Sequence, residues 1–215
     1  MAIEFDPSLD LAAVADGLQA VTLVRPGNSA ATVVAHALCR TIRTREAQAS
    51  EGQHTKSDVV WHLPASELPE TPRLGDVIVD AQGRRWTVLQ VRAATLGSRW
   101  RCVARDLAIV HRLDETIRIE KAVYAKGPSG AEEATWHLWR AGLRARIQPA
   151  AQEVGDQHER TVTPSAFKIF VAQDVDVDHT CRIRGPDGKI YRIVGCRKAE
   201  RIDALVEIDV VLAGA

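Results

Sequence analysis

The chain has 215 residues, 46% hydrophobic and 26% charged, enough to bury a core without help from metals or disulfides. Its 28 basic and 28 acidic residues cancel, and the halves are balanced too: 13 against 12 in residues 1–113, 15 against 16 in 114–215. This composition speaks against a basic nucleic-acid module or an acidic tail, and no apolar run approaches the ~20 residues of a membrane helix.

The first 20 residues read as an N-terminal arm. Asp6-Pro7-Ser8 suits a helix entry, and Leu9, Leu11, Ala12, Ala15 and Leu18 line one face of a short helix. The acidic start, Met1 to Asp10, lacks the charged-then-apolar pattern of a secretory signal. From Val21 the period changes to two. Val21-Thr22-Leu23 opens a strand, Leu38 to Ile42 forms another, and Glu46 to Asp58 is a polar stretch. Pro64, Pro69 and Pro72 make the next part irregular. Asp80-Ala81-Gln82-Gly83 is a turn, and an apolar segment from Trp100 to Ile109 ends this half.

The second half repeats the plan. Ile117 and Ile119 alternate with Arg118 and Glu120. Gly127 to Gly142, with Trp136, Leu138 and Trp139, is compatible with a helix, a bulged strand or a loop. Leu143 to Ile147 is followed by a polar stretch, Gly155 to Pro164, and then by Phe167, Ile169 and Val171 at alternate positions. Gly185-Pro186-Asp187-Gly188 is a strong hairpin signal. Val206, Ile208, Val210 and Leu212 close the half.

At an offset of 105, Leu38–Ile42 falls on Leu143–Ile147, and Gln82–Val88 on Asp187–Ile193. The openings, Val21-Thr22-Leu23 and Ile117-Arg118-Ile119, match at a shorter offset. The expected fold is therefore mainly β: two tandem small antiparallel β-barrel domains, residues 21–113 and 117–215, behind a short helix or arm at 1–20. The predicted core of the second is Ile147, Phe167, Ile169, Ile183, Tyr191, Ile193, Val206 and Ile208.

The second half carries an ordered set of motifs. These are a Gly-rich turn (Gly127-Pro128-Ser129-Gly130), Trp136, the strand Ala145-Arg146-Ile147-Gln148-Pro149, a polar loop with Glu153, and Arg182-Ile183. The hairpin Gly188-Lys189-Ile190-Tyr191-Arg192-Ile193 and a last strand after Arg201 complete the set. In this order they resemble the phage head–tail joining (stopper, or head-completion connector) family, over about 95 residues. The first half lacks a counterpart of Trp136 and of the Ile-Gln-Pro strand, and has extra prolines. The resemblance implies a ring-forming virion component between portal and tail, whose long loops close or line the DNA channel. It implies a homo-oligomeric ring of six or twelve chains, portal or adaptor and tail proteins as partners, contact with packaged double-stranded DNA, and no membrane. Its place would be the head–tail interface of the virion, after assembly in the host cytoplasm.

The interaction residues are expected in two polar loops: Glu46, Glu51, His54 and Lys56 in the first, and Glu153, Asp156, His158 and Arg160 in the second, Gln152 to Thr163. A near-neutral lining suits a channel in which DNA must slide, since each phosphate contact adds affinity. No cofactor is expected. Asp174, Asp176 and Asp178 would share one strand face, which reads as a solvated edge rather than a cation site. His179, Cys181 and Cys196 flank the Asp187-Gly188 turn, but lack a fourth zinc ligand and zinc-finger spacing. The four cysteines fit a reduced environment. No serine or cysteine lies in a nucleophile motif and no Gly-rich loop has the phosphate-binding pattern, so an enzyme, as a small hydrolase, ranks third. The second reading is a single-stranded nucleic-acid-binding β-barrel using Trp61, Trp86, Trp100, Trp136 and Trp139 for stacking.

Overall fold

The period-two segments pair into two closed antiparallel barrels in a computed structural model that describes residues 15–27, 31–126, 131–150 and 166–213. The chain divides into two compact units, Met1–Val110 and His111–Ala215. The first barrel contains β1 (Leu18–Val24), β2 (Ala31–Thr41), β3 (Val59–Pro64), β4 (Val77–Val79), β5 (Arg85–Ala93) and β6 (Arg99–Arg105). A helix α1 (Thr44–Ala49) lies between β2 and β3, and a single turn α2 (Leu107–Val110) follows β6. The second contains β7 (Glu115–Lys126), β8 (Glu132–Pro149), β9 (Ala166–Val171), β10 (Cys181–Arg184), β11 (Ile190–Arg197) and β12 (Val206–Leu212).

The two barrels have one topology. Around the first the order is β1-β2-β3-β6-β5-β4, closed by β4 on β1; around the second it is β7-β8-β9-β12-β11-β10, closed by β10 on β7. The fourth-to-fifth-strand hairpins are built alike. Asp80 N–H donates to Arg84 O and Gly83 N–H to Asp80 O, at 3.0 and 2.9 Å; Gly185 and Lys189, then Gly188 and Gly185, repeat this at 2.9 and 3.1 Å. Gly83 and Gly188 have φ of +77° and +79°, which a side chain would strain. Even the irregularities coincide: β5 bulges between Val88 and Gln90, and β11 between Ile193 and Gly195. A bulge is a specific feature of a pairing, so its repetition argues for duplication rather than chance likeness.

One anchor of the repeat needs correction. Cys39 pairs with Trp61, and Ile147 with Ile169, at matching places in the two barrels. Cys39, not Ile42, is therefore the counterpart of Ile147. The stretch from Leu63 to Ile78 is three residues longer than its counterpart from Val171 to Ile183, so one sequence offset cannot fit both sides of it.

Alternation decides what is inside. Val21, Leu23, Val34, Trp61, Leu63, Ile78, Trp86 and Val88 fill the first barrel; Ile117, Ile119, Ile169, Ile183, Tyr191, Ile193, Val206 and Ile208 fill the second. Of the predicted core, Ile147 and Phe167 are only partly buried at its margin. On the outer face of the first barrel, Ile42, Val60 and Val103 form a small second core under Ala47 of α1. Leu18, expected on a helix, opens β1, and the expected helix over residues 9–14 lies outside the described residues.

Candidate functional site

The feature that distinguishes the second barrel is an arm. Pairing of β7 with β10 ends at Lys121, and pairing of β8 with β9 begins only at Ala145. Between these limits β7 and β8 stay paired with each other, Ala122–Lys126 against Glu132–Trp136. The described part of Gly127–Gly142 is thus bulged strand. Two register shifts place extra residues in β8 between Leu138 and Leu143, where Gly142 takes φ +69°. Such bulges sharpen the local twist and bend the strand that carries them. The result is a two-stranded ribbon continuing beyond the barrel wall, with Val123, Tyr124 and Leu138 exposed by 52%, 57% and 62%.

The ribbon is fixed at its base. The Arg182 guanidinium lies 4.2 Å from the centroid of the Trp136 ring, close enough for cation–π attraction. Arg182 Nε donates to Glu120 at 2.6 Å, and Arg184 Nε donates to the other oxygen of Glu120 at 3.2 Å. Burial raises the Glu120 pKa, but the two arginine hydrogen bonds outweigh it and hold the carboxyl below its usual range. Lys121 and Arg140 lie 5.8 and 5.5 Å from the Trp139 ring. Beyond these contacts, the β8 edge from Glu132 to Arg144 pairs with no further strand among the described residues. Such an open edge accepts another chain unless it is protected.

Sequence reasoning missed Val123, Tyr124 and Leu138 as interaction residues. The signal was strand length: β7 and β8 run to 12 and 18 residues, where the other strands of that barrel have four to eight.

The first polar stretch is not an open loop. Glu46 sits in α1, accepting from Arg40 Nη2 at 2.9 Å, Arg40 Nη1 at 3.1 Å and Arg101 Nη2 at 3.4 Å, and from the Arg43 N–H at 3.0 Å. The Arg40 hydrogen bonds, then that of Arg43, hold its pKa down to about 2. Glu51 occupies a left-handed turn, φ +52°, and Lys56 is exposed. His54 is half-buried, and its N–H donates to Ser50 Oγ at 3.0 Å. The segment ends on Asp58, wholly buried, which accepts Arg105 Nε and Nη2 at 2.8 and 2.9 Å and the Thr55 N–H at 2.8 Å. The four residues therefore belong to a folded flap tied to the barrel wall. Glu153, Asp156, His158 and Arg160 lie outside the described residues.

The remaining candidates separate. Asp174, Asp176 and Asp178 lie on an irregular connection, not a strand; Val175 and Val177 between them enter the core. Asp174 and Asp176 face Lys198 at 3.9 and 3.8 Å, and Asp178 accepts the Thr180 N–H at 2.8 Å. Among the described residues no three His, Cys, Asp or Glu side chains gather as a metal site. Cys181 is buried, while His179 is exposed. Burial pushes the Cys39, Cys102 and Cys196 thiols up, Cys102 to about 12, so these sulfurs stay protonated at neutral pH. Trp61 and Trp86 stack edge-on in the core, centroids 6.5 Å apart, and are unavailable to bases. A shallow cleft of about 130 Å³ beside Leu23, Leu68 and Asp76 is smaller than ordinary ligand pockets. No protein-family model matches the chain, and no curated protein matches it significantly.

Proposed function

We propose that this chain is a structural assembly protein, a head–tail connector (stopper or neck) component of a tailed phage or phage-like particle. It docks on a portal or adaptor ring and seals the DNA channel without catalysis. The observation that carries the assembly reading is the β7–β8 ribbon, an arm with three well-exposed apolar side chains on a rigid barrel. Apolar surface held in water gains about 25 cal/mol per Å² when a partner covers it. The connector identity itself rests on the ordered motifs of the second half.

The shared topology supports a ring built from repeated barrels. Six chains would present twelve similar barrels, with true sixfold symmetry because the ribbon belongs to one barrel only. The alternative is twelve chains with the barrels as two layers. Mass measurement of the purified chain, alone and mixed with portal rings, tests the reading. A ring of six or twelve chains, or a stoichiometric portal complex, is expected. A chain that stays monomeric and binds no portal would overturn it.

The second reading, a single-stranded nucleic-acid binder, draws on Trp136 and Trp139 with their arginine and lysine neighbours on the ribbon. Tight binding of a single-stranded oligonucleotide at physiological salt, lost in Trp136→Ala, would favour it over the first.

A further inference from the structure

We propose that the outer face of the first barrel, where β2, β3 and β6 meet, is an anion site for a phosphate group, formed by Arg40, His62, Arg99 and Arg101. Strand alternation sets the directions. Trp61, Leu63 and Cys102 point into the core, so His62, Arg99 and Arg101 on the same strands point outward. His62 pairs directly with Arg101, and Pro64 beside it with Arg99. Arg40 reaches the same place from β2: its Nε lies 3.4 Å from His62 Nε2.

Two donors there have no acceptor. A guanidinium N–H only donates, so His62 Nε2 accepts from Arg40 and the proton of the neutral ring sits on Nδ1. That Nδ1 is buried and unpartnered, in a residue only 9% exposed. Arg99 Nε is buried and unpartnered too. These are two of the five such side-chain atoms among the described residues, and they belong to adjacent strands, Arg99 lying two residues along β6 from the direct partner of His62. An unsatisfied buried donor is costly and native structures keep few of them. Both would be satisfied by an oxyanion that enters as the flexible arginine side chains swing aside, since neither atom is reached by solvent in the arrangement described.

Charge points the same way. Among the described residues the charged groups that act most on His62 are Arg99, Arg40, Arg101 and the Glu46 carboxylate, and Arg92 of β5 stands opposite Arg101. Glu46 is already engaged by Arg40 and Arg101. Arg99 has no carboxylate within salt-bridge distance among the described residues. Three guanidinium groups around one carboxylate leave an excess of positive charge beside a ring that burial, then Arg99, Arg40 and Arg101, keep neutral with a pKa pushed down to about 4. The cations are all arginine, whose planar fork matches phosphate oxygens. An anion seated here would accept from His62 Nδ1 and Arg99 Nε, and its charge would raise the pKa of the ring, whose second proton goes on Nε2 in exchange for the Arg40 hydrogen bond.

This site is independent of the head–tail reading. The test follows the His62 imidazole by NMR in the full chain, titrated with sodium phosphate against sodium chloride of equal ionic strength. Saturable shifts of His62 with phosphate only, and an upward shift of its pKa, are expected. Arg99→Gln and Arg101→Gln, each checked for an unchanged near-ultraviolet spectrum, should weaken binding by about ten- to a hundredfold. A parallel titration with a short DNA duplex identifies the source. Shifts of His62 with the same arginine dependence assign the site to backbone phosphates; shifts with inorganic phosphate alone assign it to the free anion. If neither ligand moves His62 beyond the chloride control, the site does not exist. Binding that survives both arginine variants overturns it as well.

Discussion

Replacing Tyr191 by alanine tests the second barrel at its centre. Tyr191 is 3% exposed, and its ring meets Phe167 edge-on with centroids 5.5 Å apart. It also covers Gly185, where an added β-carbon would stand 3.1 Å from Tyr191 Cε2 and 3.0 Å from Asp187 Oδ1. The ring thus fills the space between the β9 wall and the hairpin, and its loss leaves a hole that rigid strands close poorly. Truncating a buried aromatic of this size costs about 3–5 kcal/mol. For a domain of roughly 100 residues each kcal/mol lowers the melting midpoint by about 4–8 °C, so a fall of at least ~12 °C is expected in the second barrel's transition. Scanning calorimetry with near-ultraviolet circular dichroism reads it. Arg192→Ala, an exposed neighbour on the same strand, serves as control. A Tyr191→Ala midpoint no lower than that of Arg192→Ala would refute the packing argument.

Asp58→Ala should destabilise the first barrel by about 3–5 kcal/mol in urea unfolding, because it removes the carboxylate that accepts two hydrogen bonds from the buried Arg105 guanidinium; Asp58→Leu with Arg105→Met should recover most of the loss. Glu46 has a depressed pKa, so its contribution is complete above the ordinary carboxyl range and fades as pH falls from about 4.5 toward about 2. Since the pair is partly exposed the effect is small and salt-sensitive; Glu46→Gln should remove that part of the acid sensitivity seen in urea midpoints between pH 5 and pH 2.5. Replacing Val123–Thr135 by Asn-Gly, a two-residue turn joining the paired Ala122 and Trp136, should leave melting nearly unchanged while abolishing assembly by mass measurement. Intact rings from that variant would remove the ribbon from the assembly mechanism.

The barrels were largely legible in the residues. Strict alternation in Phe167–Val171 and Val206–Leu212 marks one buried face, and turn chemistry at Asp80–Gly83 and Gly185–Gly188 places both hairpins, since these are local properties of the chain. The repeat was visible for the same reason, although three extra residues between Leu63 and Ile78 displaced one anchor. What periodicity does not encode is which strand pairs with which, and where pairing stops. Closure of β4 on β1, continuation of β7 and β8 as a free ribbon, and folding of Glu46–Asp58 around the Asp58–Arg105 pair all depend on partners distant in the chain. The cluster of Arg40, His62, Arg99 and Arg101 has the same origin. These residues are ordinary where they stand in the sequence, and only the register of β2, β3 and β6 brings their charges and unsatisfied N–H groups to one place.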